Sequence, residues 1–346
     1  MEQYLRKLDL PSEELARIRM TTSCTDCEQI PKVADAGRVV DNYQIMHNGV
    51  RVLADGYCGP WMTAIIQLLR GHHEPQEELA FHSILPHVRP GSLILELGCY
   101  WSYYSLWYLS QVRDSRAILV EPDLHCLGIG KTNFELNQRT GEFHHAAIGR
   151  TPGTTPAFRC ESDQVERPVR IMTVDEILKG QTAEILLADI QGAELDMLYG
   201  AVESIRAGNV RFLLVSTHHH CISGDPLTHQ KCLDFVVAHG GTVLTEHTVS
   251  ESFSGDGLIV VSFDRRDCDL PKIELSRNRA TTSLFRPIEY DLAEANAEIA
   301  RLRIQNDQEL QRLTSSRSWR LTSPFRGLAG AVRRLRDVVR VRRQKA

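Results

Sequence analysis

Leu93-Ile94-Leu95-Glu96-Leu97-Gly98-Cys99-Tyr100-Trp101-Ser102 decides the fold. It reads as a buried strand that carries an acid near its end, turns on a glycine and then enters a helix. In open α/β sheets a ligand sits at the carboxyl ends of the parallel strands, and a glycine in the first strand-to-helix turn lets the backbone approach it closely. A second acid ends the next apolar run: Ala117-Ile118-Leu119-Val120 leads into Glu121. It lies about 20 residues on, the spacing at which a carboxylate grips ribose hydroxyls. The pair implies an adenosyl cofactor.

The turn also excludes two alternatives. A dinucleotide fold wants G-x-G-x-x-G to make room for a pyrophosphate, whereas this turn has one glycine and two bulky aromatics, Tyr100 and Trp101. No G-x-x-x-x-G-K-[ST] cradle for phosphates occurs anywhere. S-adenosylmethionine has no phosphate and suits the turn.

From Gly91 onward strands and helices alternate. Strands are expected at 92–97, 116–121, 142–147, 184–189, 210–216, 241–247 and 257–263, and helices near 102–111, 124–137, 193–206 and 228–239. Runs such as Ile185-Leu186-Leu187-Ala188 suit strands buried on both faces. The expectation is an α/β protein with a doubly wound, seven-stranded Rossmann-like sheet of the class I methyltransferase kind. Residues 1–90 read as an N-terminal extension of helices and a short pair of strands around Asn48-Gly49, with 91–265 as the methyltransferase domain. The polar stretch 151–172 is an excursion over the sheet. After a linker at 266–288, residues 289–314 form a charged helix with Leu292, Ile299, Asn306 and Leu313 at seven-residue spacing. The pattern suits either a coiled coil, with Asn306 at the seam of a homo-oligomer, or a solvated helix packing on its own domain. Residues 315–346 are a basic amphipathic tail.

Composition narrows the class further. The whole chain carries a formal charge of −4, but from Arg317 onward ten basic residues meet one acid, leaving the tail at +9. Such a segment suits an anionic membrane surface or a glycan-assembly complex; no recognised nucleic-acid module accompanies it, so no nucleic-acid partner is expected. No run of 18 apolar residues occurs and Met1–Lys7 lacks the apolar centre of an export signal. The expected location is the cytoplasm, peripheral at the inner membrane surface. The nine cysteines are scattered, and Cys24-x-x-Cys27 has no second ligand pair at zinc spacing. No metal centre is expected from them.

Leu187-Ala188-Asp189-Ile190-Gln191-Gly192-Ala193-Glu194, followed by a helix and Gly200-Ala201, resembles the hallmark of the FkbM-type S-adenosylmethionine-dependent methyltransferases. Thr173-Val174-Asp175-Glu176-Ile177 and Tyr103-Tyr104-Ser105-Leu106 resemble two further segments of that family, and the likeness covers about residues 90–265. Asp55–Trp61 and His72–Glu78 look like an extension seen in some members. Ser102 stands where the family usually has glycine, and Gln191 where it usually has an acid. Gln191 can hydrogen-bond but cannot act as a base. The resemblance implies methyl transfer to a hydroxyl of a sugar, polyketide or similar metabolite.

The candidate site follows from strand ends. Gly98, Tyr100 and Glu121 would meet the cofactor, Glu96 its methionine amine, and Ala146, after His144-His145, its adenine edge. Asp189 would orient the cofactor or accept a proton. His218 and His219, in Ser216-Thr217-His218-His219-His220, are candidate general bases because imidazole titrates near neutrality. Glu194 and His220 would meet the acceptor. With the histidines, Asp189 and Glu194 could alternatively hold a divalent metal. The acceptor is a hydroxylated small molecule or glycan. O-methylation of a sugar in surface-polysaccharide synthesis is the leading reading; methylation of a small secondary metabolite and an inactive scaffold subunit are the alternatives.

Overall fold

The computed structural model describes Leu5 and residues 8–321; most of the expected basic tail, residues 322–346, lies outside the described residues. Seven strands form the central sheet: β4 (Leu93–Leu97), β5 (Arg116–Glu121), β6 (Glu142–His145), β10 (Ala183–Ala188), β11 (Val210–Thr217), β12 (Thr242–His247) and β13 (Gly257–Ser262). They lie in the order β12-β13-β11-β10-β4-β5-β6. All pairings are parallel except those of β13, which is antiparallel to both neighbours. Burial explains the ranking: β4 and β10 are buried at every position, whereas β6 is buried at none and forms an edge.

Alternation along β4 divides the core into two layers. Leu93, Leu95 and Leu97 face one cluster with Leu186, Met197 and Val236, while Ile94 faces the other with Ile65, Phe81, Tyr103 and Trp107. The second layer holds α4 (Tyr103–Gln111) and the N-terminal segment. That segment contains α1 (Ser12–Thr21), the strands β1 (Val39–Val40), β2 (Tyr43–Ile45) and β3 (Arg51–Leu53), and helices α2 (Pro60–Leu68) and α3 (Pro75–Ile84). The expected strand pair around Asn48-Gly49 therefore gains a third member, β1, antiparallel to β2. Residues 1–286 form one compact unit, so the N-terminal segment shares the core of the sheet.

A buried polar knot fixes α3. Glu78 accepts from the Nδ1 atoms of His72 and His73, and from the His73 backbone N–H at 3.0 Å. Burial opposes its ionisation, but the two imidazoles hold the carboxyl well below the usual range. The His47 ring stacks on His72 at 4.3 Å and stays neutral, burial lowering its pKa to about 4.

Three local departures have physical causes. The third strand stops at His145: Ala147–Ile148 (β7) leaves the main sheet and pairs with β9 (Glu166–Met172), itself paired to β8 (Gly153–Arg159). The excursion at 151–172 is thus a hairpin, and its register slips between Thr155 and Phe158, around Pro156, which cannot donate a ladder hydrogen bond. The single helix expected at 193–206 is broken into α7 (Glu194–Tyr199) and α8 (Val202–Arg206) by Gly200. A Cβ there would lie 2.4 Å from the Gly149 carbonyl oxygen, so two chain segments cross at that point.

At the amino end of β11, Arg211 joins three elements. Its guanidinium, 12% exposed, donates to Glu184 at 2.5 Å and to both Asp267 oxygens at 2.8 and 2.9 Å. Arg211→Met leaves Asp267 without this cation and Glu184 with only Arg89, so a loss of about 3 kcal/mol is expected in urea unfolding at neutral pH. A change under about 0.5 kcal/mol would show that the network adds nothing.

The remaining unit, from Pro287 onward, contains α11 (Ile288–Ser315), which has no buried residue and shows Leu292, Ile299, Leu302 and Leu313 exposed. Among the described residues no helix is long and apolar enough to cross a membrane.

Candidate active site

The turn after β4 is built on strained backbone. Gly98 has φ +73°, and an added Cβ would lie 1.7 Å from the Asp189 carbonyl oxygen. Only glycine meets both conditions. The Gly98 N–H donates to Val120 O at 2.9 Å and the Asp189 N–H to Leu97 O at 3.0 Å, which laces together the carboxyl ends of β4, β5 and β10. Tyr100 (φ +36°) and Ser102 (φ +63°) also adopt left-handed backbone, which costs roughly 1–3 kcal/mol each and persists only when the surroundings enforce it. Here Glu121 enforces it: Oε2 accepts the Tyr100 N–H at 3.0 Å, while Oε1 accepts the Asp123 N–H at 2.9 Å. Asn133, on α5 (Leu124–Leu136), holds the Trp101 carbonyl at 2.9 Å.

Burial pushes the Glu121 carboxyl up to about 8, against the pull of those two N–H groups. Glu96 lies on β4 and accepts the Ser105 N–H at 2.9 Å, anchoring the start of α4; burial raises it to about 7. Ala146 is fully buried immediately after β6, and its N–H donates to Glu121 O at 3.3 Å.

Across the cleft, His218 follows β11 and is buried. Its Nδ1 lies 2.6 Å from Glu194 Oε1, and its Nε2 lies 3.2 Å from Asp189 Oδ1 and 3.5 Å from Asp256 Oδ1. Burial alone would lower its pKa, but Asp256, Asp189 and Glu194 outweigh it and hold the imidazole well above its ordinary value. Both nitrogens thus face carboxylates, with Nδ1 bonded to Glu194 and Nε2 meeting hydrogen-bond geometry with no described group. Glu194 has no exposed side-chain surface and accepts the Gly192 N–H at 2.8 Å, so it reaches the cleft through His218. His219 stacks on Phe285 at 4.8 Å and accepts from the Cys221 N–H at the start of α9 (His220–Ser223); His220 lies against it at 3.9 Å.

Four further residues gather at this end of the sheet, none of which the strand-end reading assigned a role. Tyr57 stacks on Trp101 at 4.6 Å and meets Tyr100 edge-on at 5.0 Å. Glu77, on α3, accepts from the Ser216 hydroxyl at 2.7 Å. Glu74 lies 3.5 Å from His73, and Asp256 sits in the turn before β13. Burial raises Glu74 well above the carboxylate range, Glu77 to about 8 and Asp256 to about 6. The one hint in the sequence was the run His72-His73-Glu74-Pro75-Gln76-Glu77-Glu78, polar in a segment that otherwise supplies core residues.

The strand order, with a single antiparallel strand inserted between β11 and β12, defines a class I, Rossmann-like methyltransferase fold. No family model matches the chain, and no curated protein does. Solved structures similar to it include the methyltransferase domain of METTL16 (14% identity, TM-score 0.39, covering 72% of this chain and 92% of that one). Another is an S-adenosylmethionine-dependent methyltransferase from Agrobacterium tumefaciens (12%, 0.41, 66% and 72%). A third is the magnesium protoporphyrin IX methyltransferase of Synechocystis PCC 6803 with bound S-adenosylmethionine (9%, 0.35, 54% and 79%).

Proposed function

We propose that the chain is an S-adenosylmethionine-dependent O-methyltransferase of the FkbM type, acting on a sugar hydroxyl in surface-glycan synthesis. The observation that carries this reading is the turn at Gly98, closed by Glu121 at the carboxyl ends of β4 and β5. The residues fit the cofactor in two further respects. Ser102 Oγ is buried at that end of the sheet and meets hydrogen-bond geometry with no described group. Asp189, Glu194 and Asp256 outnumber the single imidazole of His218 between them, an acidic setting suited to a sulfonium cation. When bound, S-adenosylmethionine supplies a methyl group already activated for transfer. The chain has then to bind it through Gly98, Tyr100, Glu96 and Glu121, align the acceptor and accept a proton. Tyr57 and Tyr100 present aromatic surface beside carboxylates, the mixture by which a pocket orients a polyhydroxylated acceptor.

Two associations belong to the same reading. Exposed Leu292, Ile299 and Leu313, with Asn306 in register, support pairing of α11 with a second copy. The basic charge after Arg317 supports a cytoplasmic enzyme held at an anionic membrane surface.

Calorimetric titration with S-adenosylmethionine tests the core of this. Saturable binding is expected, weakened at least about tenfold by Glu121→Ala, the loss of a hydrogen-bonded acid in a buried turn. A folded wild-type chain that takes up no S-adenosylmethionine would overturn the enzyme reading and favour the scaffold.

A further inference from the structure

We propose that Glu77, on α3 of the N-terminal segment, is the group that takes the acceptor's proton; this rests on the methyltransferase reading. The histidines after β11 are otherwise engaged. His218 is held by Glu194 at one nitrogen and faces Asp189 and Asp256 with the other, and His219 is stacked on Phe285. Asp189 and Asp256 share His218 as counter-ion, and Glu74 faces His73.

Glu77 differs from these acids. It makes no ion pair among the described residues, and its Oε2 accepts from a neutral hydroxyl, that of Ser216 near the carboxyl end of β11. Through Ser216 it is set at the carboxyl end of β11, the end of the sheet at which Asp189 follows β10 and the Gly98 turn follows β4. Beside it lies Tyr104, 5% exposed, whose hydroxyl is directed at the Glu77 carboxyl. The charged and titratable groups facing Glu77 are Glu74 on its own segment, Tyr104 on α4, Asp189 after β10 and Asp256 before β13. Burial and then Asp189 raise Glu77 to about 8, which brings a carboxylate closer to the basicity that proton removal from a hydroxyl demands.

The step balances. The acceptor oxygen forms a bond to the methyl carbon as the carbon–sulfur bond breaks. That electron pair goes to sulfur, leaving a neutral thioether, and the hydroxyl proton passes to the Glu77 carboxylate.

Glu77→Gln reproduces the shape of the neutral acid and keeps an acceptor for Ser216, so the fold is expected to survive. Three measurements on the full chain decide the matter: calorimetric affinity for S-adenosylmethionine, methyl transfer from the tritiated cofactor to a panel of methyl glycosides, and an infrared pH titration of wild type minus E77Q. The expected result is affinity within about threefold of wild type, transfer reduced at least about 100-fold, and a carboxyl band that ionises near pH 8 and is missing from the variant. Wild-type transfer should rise through the same pH range, because only the ionised form accepts a proton. E77Q turnover close to wild type, or a Glu77 carboxyl already ionised at pH 6, would overturn the proposal. A wild type that binds no S-adenosylmethionine removes the reading beneath it, visible before any variant is made. If wild type binds the cofactor but methylates no glycoside, the sugar reading fails and the infrared titration alone decides Glu77.

Discussion

His218→Leu is expected to destabilise the protein by about 3–5 kcal/mol near neutral pH, because it leaves a buried carboxylate without its cation. Glu194 has no exposed side-chain surface and lies 2.6 Å from His218 Nδ1; Asp189 and Asp256 face the other nitrogen at 3.2 and 3.5 Å. The pH dependence carries a definite sign. The folded pKa of His218 is raised above its unfolded value of about 6.5, so its contribution is complete below that pH and lost as pH climbs through the folded value. Asp256, raised to about 6, acts in the same direction over a lower range, since a carboxyl that holds its proton longer when folded loses that advantage as pH rises. Urea midpoints measured from pH 5 to pH 9 should therefore fall for wild type, and the alkaline part of the fall should be shallower in His218→Leu, with Glu77 and Glu121, both raised to about 8, contributing what remains. Identical slopes for the two proteins would remove His218 from the account.

Gly98→Val should be at least as damaging, with a loss above about 4 kcal/mol or failure to fold. Two penalties combine: a β-branched residue is forced to φ +73°, and its Cβ is driven to 1.7 Å from the carbonyl oxygen of Asp189. Since that oxygen belongs to the backbone at the end of a central strand, the sheet itself would have to open. Thermal unfolding by circular dichroism provides the check; a melting temperature within a degree or two of wild type would show that the turn can relax.

The fold was legible because its decisive strands are apolar on both faces, a pattern with few other interpretations. Glu96, Gly98, Glu121, Asp189 and His218 could be located for the same reason: each ends or follows such a strand, and parallel topology brings strand ends together. Glu74, Glu77 and Tyr57 had no such signal. Their position depends on how the N-terminal segment packs over α4, a matter of contacts such as Glu77 to Ser216 across 139 residues of sequence. Tyr100 and Ser102 concealed the geometry of the turn in another way, adopting left-handed backbone without the glycines that normally announce it. The roles of His218 and Glu194 were hidden because a histidine in a sequence does not disclose which carboxylates will face its two nitrogens.

The cleft has walls of unequal ancestry in the chain. One wall is made by strand ends whose geometry the whole sheet enforces, so a change there disturbs every neighbouring strand. The other is made by Tyr57, Glu74 and Glu77, carried on a segment that meets the sheet through side-chain packing. Tyr57 on the second wall can therefore be exchanged while the first stays fixed, whereas Ile65, Phe81 and Ile84 of the same segment belong to the core of the sheet. On the proposed function, new acceptors would be reached through the loop 54–59 around Tyr57, and a library for altered specificity would be concentrated there.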